Sequence, residues 1–339
     1  MSQPNRRRLI LAIKLLISVV LVGWLLYSVG VEDAFKRMMT VDPVWFALAV
    51  LVGTVHMVIG TIRWQAVLFA LKETLPWGQI FRFMYIGGFF NQTLPSSVGG
   101  DAVRGYMAYK SGQSVRGAVN GVLLDRVITV FSLIFLSLIM SVLGASELKG
   151  GEWFRNGVWL VWGLALGGVA VLMVLDRLPA RLSHLSFVRG MAALASDTRA
   201  LFLRAPHNGL VALIGVVGHA NISVLIFTLA MGLGLDVTLA NCLLLFPPVL
   251  LIQTLPISVA GWGVREGAMV AMFALVGVPA EGVLAMSILF GLVLIIMSLP
   301  GLWFPCPGLQ QMPSICGLRG HQRQWHRPWE QKYWQTRSS

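Results

Sequence analysis

Charge is what this chain has least of. Only 12% of its 339 residues are Asp, Glu, Lys or Arg, about half the share of an ordinary soluble domain, which excludes a solvated globular enzyme. Cysteine is scarce too. Cys242, Cys306 and Cys316 provide no disulfide framework, and Cys242, set in apolar sequence, reads as a small buried hydrophobe. The sequence holds no Walker A string, no His-Glu-x-x-His and no Gly-x-Ser-x-Gly. That argues against an ATP-driven pump within this chain, and no cofactor is expected.

What is present instead is apolar length. The chain is 56% hydrophobic, with a mean hydropathy of +0.76. Runs long enough to span a bilayer occur at about 9–29, 44–62, 118–143, 157–175, 209–233 and 280–304. The first follows Arg6, Arg7 and Arg8 and exceeds a signal-peptide core in length, so it is read as an uncleaved transmembrane helix. Two shorter apolar segments, 80–95 and 239–257, each end in a polar, proline-containing string, and each is followed by another short segment, 101–113 and 264–277. From about residue 305 the composition turns polar, and 305–339 is expected to be a disordered tail.

The surplus of basic residues, 26 against 14 acidic, invites a nucleic-acid reading, but its distribution argues otherwise. With the N-terminus in the cytoplasm, and each proline-broken segment entering and leaving on one side, most of the arginines and lysines, Arg63 among them, fall in cytoplasmic segments. The outer segments keep only Lys36, Arg37, Lys149 and Arg155. The expectation is an integral protein of the plasma (bacterial inner) membrane with both termini cytoplasmic, its basic loops facing anionic lipid. The stretch 177–207 interleaves Arg with Leu, Phe and Met. It fits an amphipathic helix on the cytoplasmic face, or equally a solvated connector.

The strongest signal is a repetition. QTLPSSVGGDAVR at 92–104 returns as QTLPISVAGWGVR at 253–265. Nine of the thirteen positions are identical, which points to a duplicated structural unit, with units around 80–126 and 239–290. Pro95 and Pro256 each end a helix, and the residues that follow, Ser97 with Gly100 and Ser258 with Gly261, allow a turn. Broken backbone in hydrocarbon needs protein or water to satisfy it, so the breaks predict two re-entrant hairpins meeting inside the protein. Three spans between them make the halves inverted, and matched interruptions of this kind point to a transporter's binding site.

Charges collect there: Asp101 and Arg104 after the first break, Arg265 and Glu266 after the second, Asp125 with Arg126 in the next span. Intramembrane charge is functional by default. The alternative is that Asp101–Arg104 and Asp125–Arg126 are internal ion pairs that lock the hairpin. An arginine just past a helix break presents a fixed fork to phosphate or carboxylate, helped by the half-helix N-terminus. Gln92, Thr93, Gln253, Thr254, Ser97 and Ser258 would add neutral hydrogen bonds, with Asn91 a weaker choice.

Other candidates are bland. Cys306, Cys316, His321 and His326 fit no standard metal-ligand spacing, and no metal site is expected. His56, His219 and Asn221 suit interhelical hydrogen bonds at least as well as a substrate path. Trp45, Trp77, Trp153 and Trp159 read as interfacial belt residues.

The paired strings LP-SSVGGDAVR…DR and LP-ISVAGWGVREG, with Arg63-Trp64 at the end of the second span, resemble the lysylphosphatidylglycerol synthase/flippase transmembrane family over roughly 9–304. The resemblance implies an all-α polytopic fold and a role in moving lipid, with Asp101, Arg104, Arg265 and Glu266 at the family's characteristic positions; Asp101 stands where many members carry Glu. No aminoacyl-transferring domain follows, so aminoacylation would need another protein, and the tail does not read like the family's ending.

The leading expectation is therefore a non-enzymatic lipid flippase of about six spans and two broken hairpins. It would move a phospholipid or lipid-linked intermediate between leaflets, with a separate lipid-modifying enzyme as possible partner and no nucleic acid. Two alternatives stand beside it. One is a membrane-embedded transferase using Asp101 or Glu266 as base, and the other a scaffold for an envelope-lipid enzyme.

Overall fold

The computed structural model describes residues 31–93, 99–144, 151–174, 186–200, 202, 208–254 and 261–304. The expected first span 9–29, the break residues Pro95, Ser97, Pro256 and Ser258, and the tail 305–339 lie outside them. Every regular element among the described residues is helical.

A short helix α1 (Val31–Met39) leads to α2 (Pro43–Ala70). The start of α2 is set by Asp42, whose carboxylate accepts the Val44 N–H at 2.8 Å, and by Pro43 in the first turn, where a missing N–H costs nothing. There follow α3 (Trp77–Thr93), α4 (Gly99–Lys110), α5 (Val115–Gly144), α6 (Gly151–Val174), α7 (Ser186–Arg199) and α8 (Asn208–Gly232). The chain continues with α9 (Leu239–Thr254), α10 (Val264–Phe273), a 3₁₀ turn Ala274–Val276, α11 (Ala280–Ser298) and a final turn α12 (Pro300–Trp303).

Five helices are long and apolar enough to cross a membrane, within 43–70, 115–144, 152–174, 209–232 and 280–303. The protein is an all-α polytopic membrane protein. The two interrupted segments are each a pair of short helices, α3/α4 and α9/α10, of 17, 12, 16 and 10 residues. A span typically needs about 20 residues, and all four are shorter.

Packing follows small residues. α2 and α8 share the most extensive interface, drawn together where a side chain on Gly232 would press to 2.9 Å of Trp45 Cβ; α8 meets α5 closely too, where a side chain on Gly215 would strike Ser132. The main apolar core gathers Leu225 and Leu229 of α8, Phe246 of α9, Phe273 of α10 and Phe290 of α11. Phe246 and Phe290 meet edge to face at 5.3 Å. α6 stands at the periphery: Trp153, Leu160 and Leu164 are mostly exposed, as suits a lipid-facing surface.

α2 runs eight residues past its expected end. Arg63, read from the sequence as a loop charge, is thereby a buried residue of the helix. Residues 186–199 form a helix whose Ala195 and Thr198 are buried, and Leu194 joins the small core of Val67, Leu124, Ile128 and Val211. Its apolar side therefore covers protein. Asp197 ties it to α5, accepting from Arg116 at 2.5 Å and Asn120 at 2.6 Å.

Candidate functional site

The first broken pair closes backbone to backbone. A Cβ on Gly100 would lie 1.9 Å from the Gly87 carbonyl oxygen, so only glycine permits the contact. Asn91, near the end of α3, accepts the Gly100 N–H at 2.9 Å and caps α4 across the break. This junction presents the first turn of α4, with Asp101, and the next, with Arg104, to α2 and α5.

Five charged side chains meet there. Arg63 of α2 donates to both oxygens of Asp125 of α5, at 2.8 and 3.4 Å. Arg104 donates to the same carboxylate at 2.9 Å and approaches Asp101 at 3.4 Å. Arg126 donates to the other oxygen of Asp101 at 2.5 Å. The order Arg63–Asp125–Arg104–Asp101–Arg126 alternates in sign across three helices. With three arginines and two aspartates it carries one surplus positive charge. Arg63, Arg104, Asp101 and Asp125 are buried, whereas the Arg126 side chain is 45% exposed. The Arg104 guanidinium stacks 4.4 Å above Trp64, and its Nε is buried with no hydrogen-bond partner.

Asp125 and Arg126 do not pair with each other. Neighbours on a helix point about 100° apart, so Asp125 turns in to α2 and α4 while Arg126 turns out to Asp101.

The second pair builds a smaller, self-contained cluster. Arg265 donates to Glu266 Oε1 at 2.5 and 3.0 Å, and Ser287 of α11 contacts both residues, at 3.2 and 3.3 Å. Glu266 Oε2 takes the Gly263 N–H at 2.6 Å, capping α10. Both charges are at least 97% buried, and the cluster is neutral. Arg265 lies 4.8 Å from the Trp262 ring, and Gly291 leaves room for its head. Among the described residues no hydrogen bond or ion pair joins the two clusters.

The repeated string does not fold identically in its two copies. Gly261 has φ +84° and belongs to the turn before α10, whereas its counterpart Gly100 lies inside α4. Thr93 and Thr254 stand at the ends of their helices and donate back into them, Thr93 four residues to Phe89 and Thr254 three residues to Leu251. Both are exposed, so neither reaches a charge cluster. Gln92 and Gln253 are half-buried, and Gln253 lies against Gly261. His219 bonds the Thr129 carbonyl at 3.0 Å and His56 that of Gly218 at 3.1 Å, so both serve helix–helix contacts.

A family model described as the lysylphosphatidylglycerol synthase transmembrane region matches residues 11–301. The chain belongs to this family. Among curated proteins, a UPF0104 membrane protein of Methanothermobacter thermautotrophicus is 23% identical over 315 residues, which cover 84% of this chain and 89% of the relative. A shorter match of the same description and organism is 30% identical over 138 residues, 39% of this chain and 40% of the relative. A UPF0104 membrane protein of Pyrococcus horikoshii is 28% identical over 123 residues, 35% and 37% of the two chains. The family's description ties this membrane protein to lipid handling.

Four residues of the two clusters escape a reading of the repeat alone. Arg63 and Trp64 were marked only by resemblance. Trp262 and Ser287 carried no signal, because a tryptophan or serine in an apolar run looks like any other. Pairing Trp64 with Arg104 needs the fold, since the two are 40 positions apart.

Proposed function

We propose that this protein moves an anionic lipid between the leaflets of a plasma membrane. The observation that carries the reading is the five-residue chain, buried except at Arg126, with its surplus positive charge, set beside a helix break. Charge at membrane depth is costly unless paired, and one cation more than the pairing needs is what a phosphate or other anionic headgroup would balance. Each broken pair is read as a re-entrant hairpin, and the two as inverted counterparts, so that a headgroup meets arginine from either side. Arg104 is the central contact, Asp101 and Asp125 hold it in place, and Arg265 with Glu266 supplies the counterpart in the other half. Both termini are placed in the cytoplasm by the distribution of basic loops.

The transferase reading is less favoured, because the carboxylates it needs are occupied. Glu266 is engaged at both oxygens by Arg265, Ser287 and the Gly263 N–H, and Asp101 by Arg104 and Arg126.

The test is headgroup accessibility in proteoliposomes holding fluorescent anionic, zwitterionic and aminoacylated lipids. Wild-type protein should move an anionic lipid, and Arg104→Ala should abolish that movement at equal reconstitution. Full activity in Arg104→Ala would remove the headgroup role assigned to the cluster.

A further inference from the structure

Arg126 and an apolar groove lie on one strip of α5. The groove, of about 450 Å³, opens between α5, α6 and α9. It is lined by Ile134 and Ser137 of α5, Phe154 and Gly157 of α6, and Pro248 and Ile252 of α9. Its lining is almost wholly apolar, Ser137 and the indole of Trp153 being the side chains there with a polar atom. Ser137 follows Arg126 by eleven positions, which at 3.6 residues per turn returns to within about 20° of the same bearing. Ile134, eight positions on, lies about 80° round from Arg126. One side of α5 thus presents a half-exposed arginine and, about 16 Å further along, an apolar slot. That separation is about half of a ~30 Å hydrocarbon core, the depth of one leaflet's acyl chains.

α9 leads back toward the arginine. Leu244 of α9 lies against Gly144 at the end of α5, while Pro248 and Ile252 share the groove with Ser137 and Ile134. The two helices therefore run antiparallel. The broken end of α9, Gln253–Thr254, points along α5 toward the level of Arg126.

Arg126 is suited to the polar end. It gives one N–H to Asp101, and no other hydrogen bond engages it among the described residues. The cluster it terminates holds the surplus cation, and the buried Arg104 Nε in that cluster lacks a partner.

We infer that this strip of α5 is a binding track for one anionic phospholipid, its phosphodiester on Arg126 and one acyl chain in the α5/α6/α9 groove. The inference rests on the lipid-transport reading and adds a binding site and a pose. The headgroup faces the end of the molecule where α5 begins, and the chain runs toward the end where it stops.

The test uses the full-length protein in detergent, with retained dioleoylphosphatidylglycerol quantified against dioleoylphosphatidylcholine. Glycerophosphoglycerol, which has the phosphodiester but no chains, and inorganic phosphate serve as competitors. Arg126→Gln removes the head contact. Gly157→Trp fills the groove, since a side chain at Gly157 meets nothing within 4 Å. Each should cut phosphatidylglycerol retention at least tenfold at unchanged elution and helicity, while Arg126→Lys keeps most of it. If Gly157→Trp misfolds, Ser137→Phe fills the slot from the other wall.

Wild-type retention in both Arg126→Gln and a folded groove-filling variant overturns the track. So does displacement of lipid by glycerophosphoglycerol or phosphate at concentrations equal to those at which phosphatidylglycerol itself competes, which would place all the affinity at a head site. Proteoliposomes of the same lipid separate the two readings. Transport by wild type with undiminished binding in the variants sinks the track alone. The expected binding pattern without any transport sinks the flippase and leaves the track as a lipid site.

Discussion

The guanidinium of Arg104 lies over the indole of Trp64, 4.4 Å from the ring centre, and Arg265 lies over Trp262 at 4.8 Å. The aromatic partner comes from a different place each time, a neighbouring helix in the first half and three residues upstream in the second. In both, a ring face shields the apolar side of a buried guanidinium while carboxylates take its N–H groups. Such a contact, desolvated, contributes about 2 kcal/mol or more. Trp64→Leu also opens a void in a fully buried site, for a total cost of about 3–5 kcal/mol. Thermal unfolding in detergent should show a large downward shift for Trp64→Leu and almost none for Trp153→Leu, whose ring is 81% exposed.

Asp125 holds two arginines from two other helices, so Asp125→Asn leaves both undercompensated. Breaking a buried pair in this way costs about 3–5 kcal/mol. In an Arg63→Gln background the same change should cost less, with a coupling of about 1–3 kcal/mol. Equal penalties in the two backgrounds, measured by denaturant or thermal unfolding, would mean that Arg63 and Asp125 act independently.

Glu266 both neutralises Arg265 and caps α10 through the Gly263 N–H. Glu266→Gln keeps an oxygen for the cap but strips the charge, whereas Glu266→Ala loses both. The alanine variant should be less stable than the glutamine one by about 1 kcal/mol, the worth of a helix cap. Identical unfolding midpoints would show that the cap contributes nothing.

Gly100→Ala places a methyl group 1.9 Å from the Gly87 carbonyl oxygen, and the obstacle is backbone. Poor expression or a collapse of thermal stability is expected. Gly157→Ala, with open space around it, should behave as wild type in the same assay.

Asp197 fastens α7 to the bundle through Arg116 and Asn120. Arg116 is 56% exposed, but the Asp197 side chain is only 14% exposed and Asn120 is buried, so losing the carboxylate orphans a buried amide at a cost of about 1–3 kcal/mol. Asp197→Ala should therefore lower the unfolding midpoint modestly and hasten tryptic cleavage within α7. An unchanged cleavage rate would show that apolar packing alone holds the helix.

The ends of α3 and α9 and the long described spans were legible because they are local. Each end stands just before a proline-containing polar string, and an apolar run declares its own length, although Pro247 and Pro248 inside α9 show that a proline alone does not stop a helix. The charge cluster was half legible. Asp101, Arg104, Arg265 and Glu266 stand beside the breaks, but their partners are set by the fold. Arg63 finds Asp125 across 62 positions, and nothing in the local pattern around either announces the other. Repetition also misled in one respect. Gly100 and Gly261 occupy equivalent places in the string, yet one is held inside a helix by a close neighbour and the other turns the chain at positive φ. Equal letters met unequal surroundings.

The meeting of Gly100 with Gly87 bears on how this protein would move. Most helix pairs mesh through ridges and grooves of side chains, and sliding one past the other means climbing out of that mesh. Where α3 meets α4 at these two glycines the contact is backbone on backbone, so any sliding there would be resisted less by interlocked side chains than by the Asn91 side chain on the Gly100 N–H, which holds the joint in the arrangement seen.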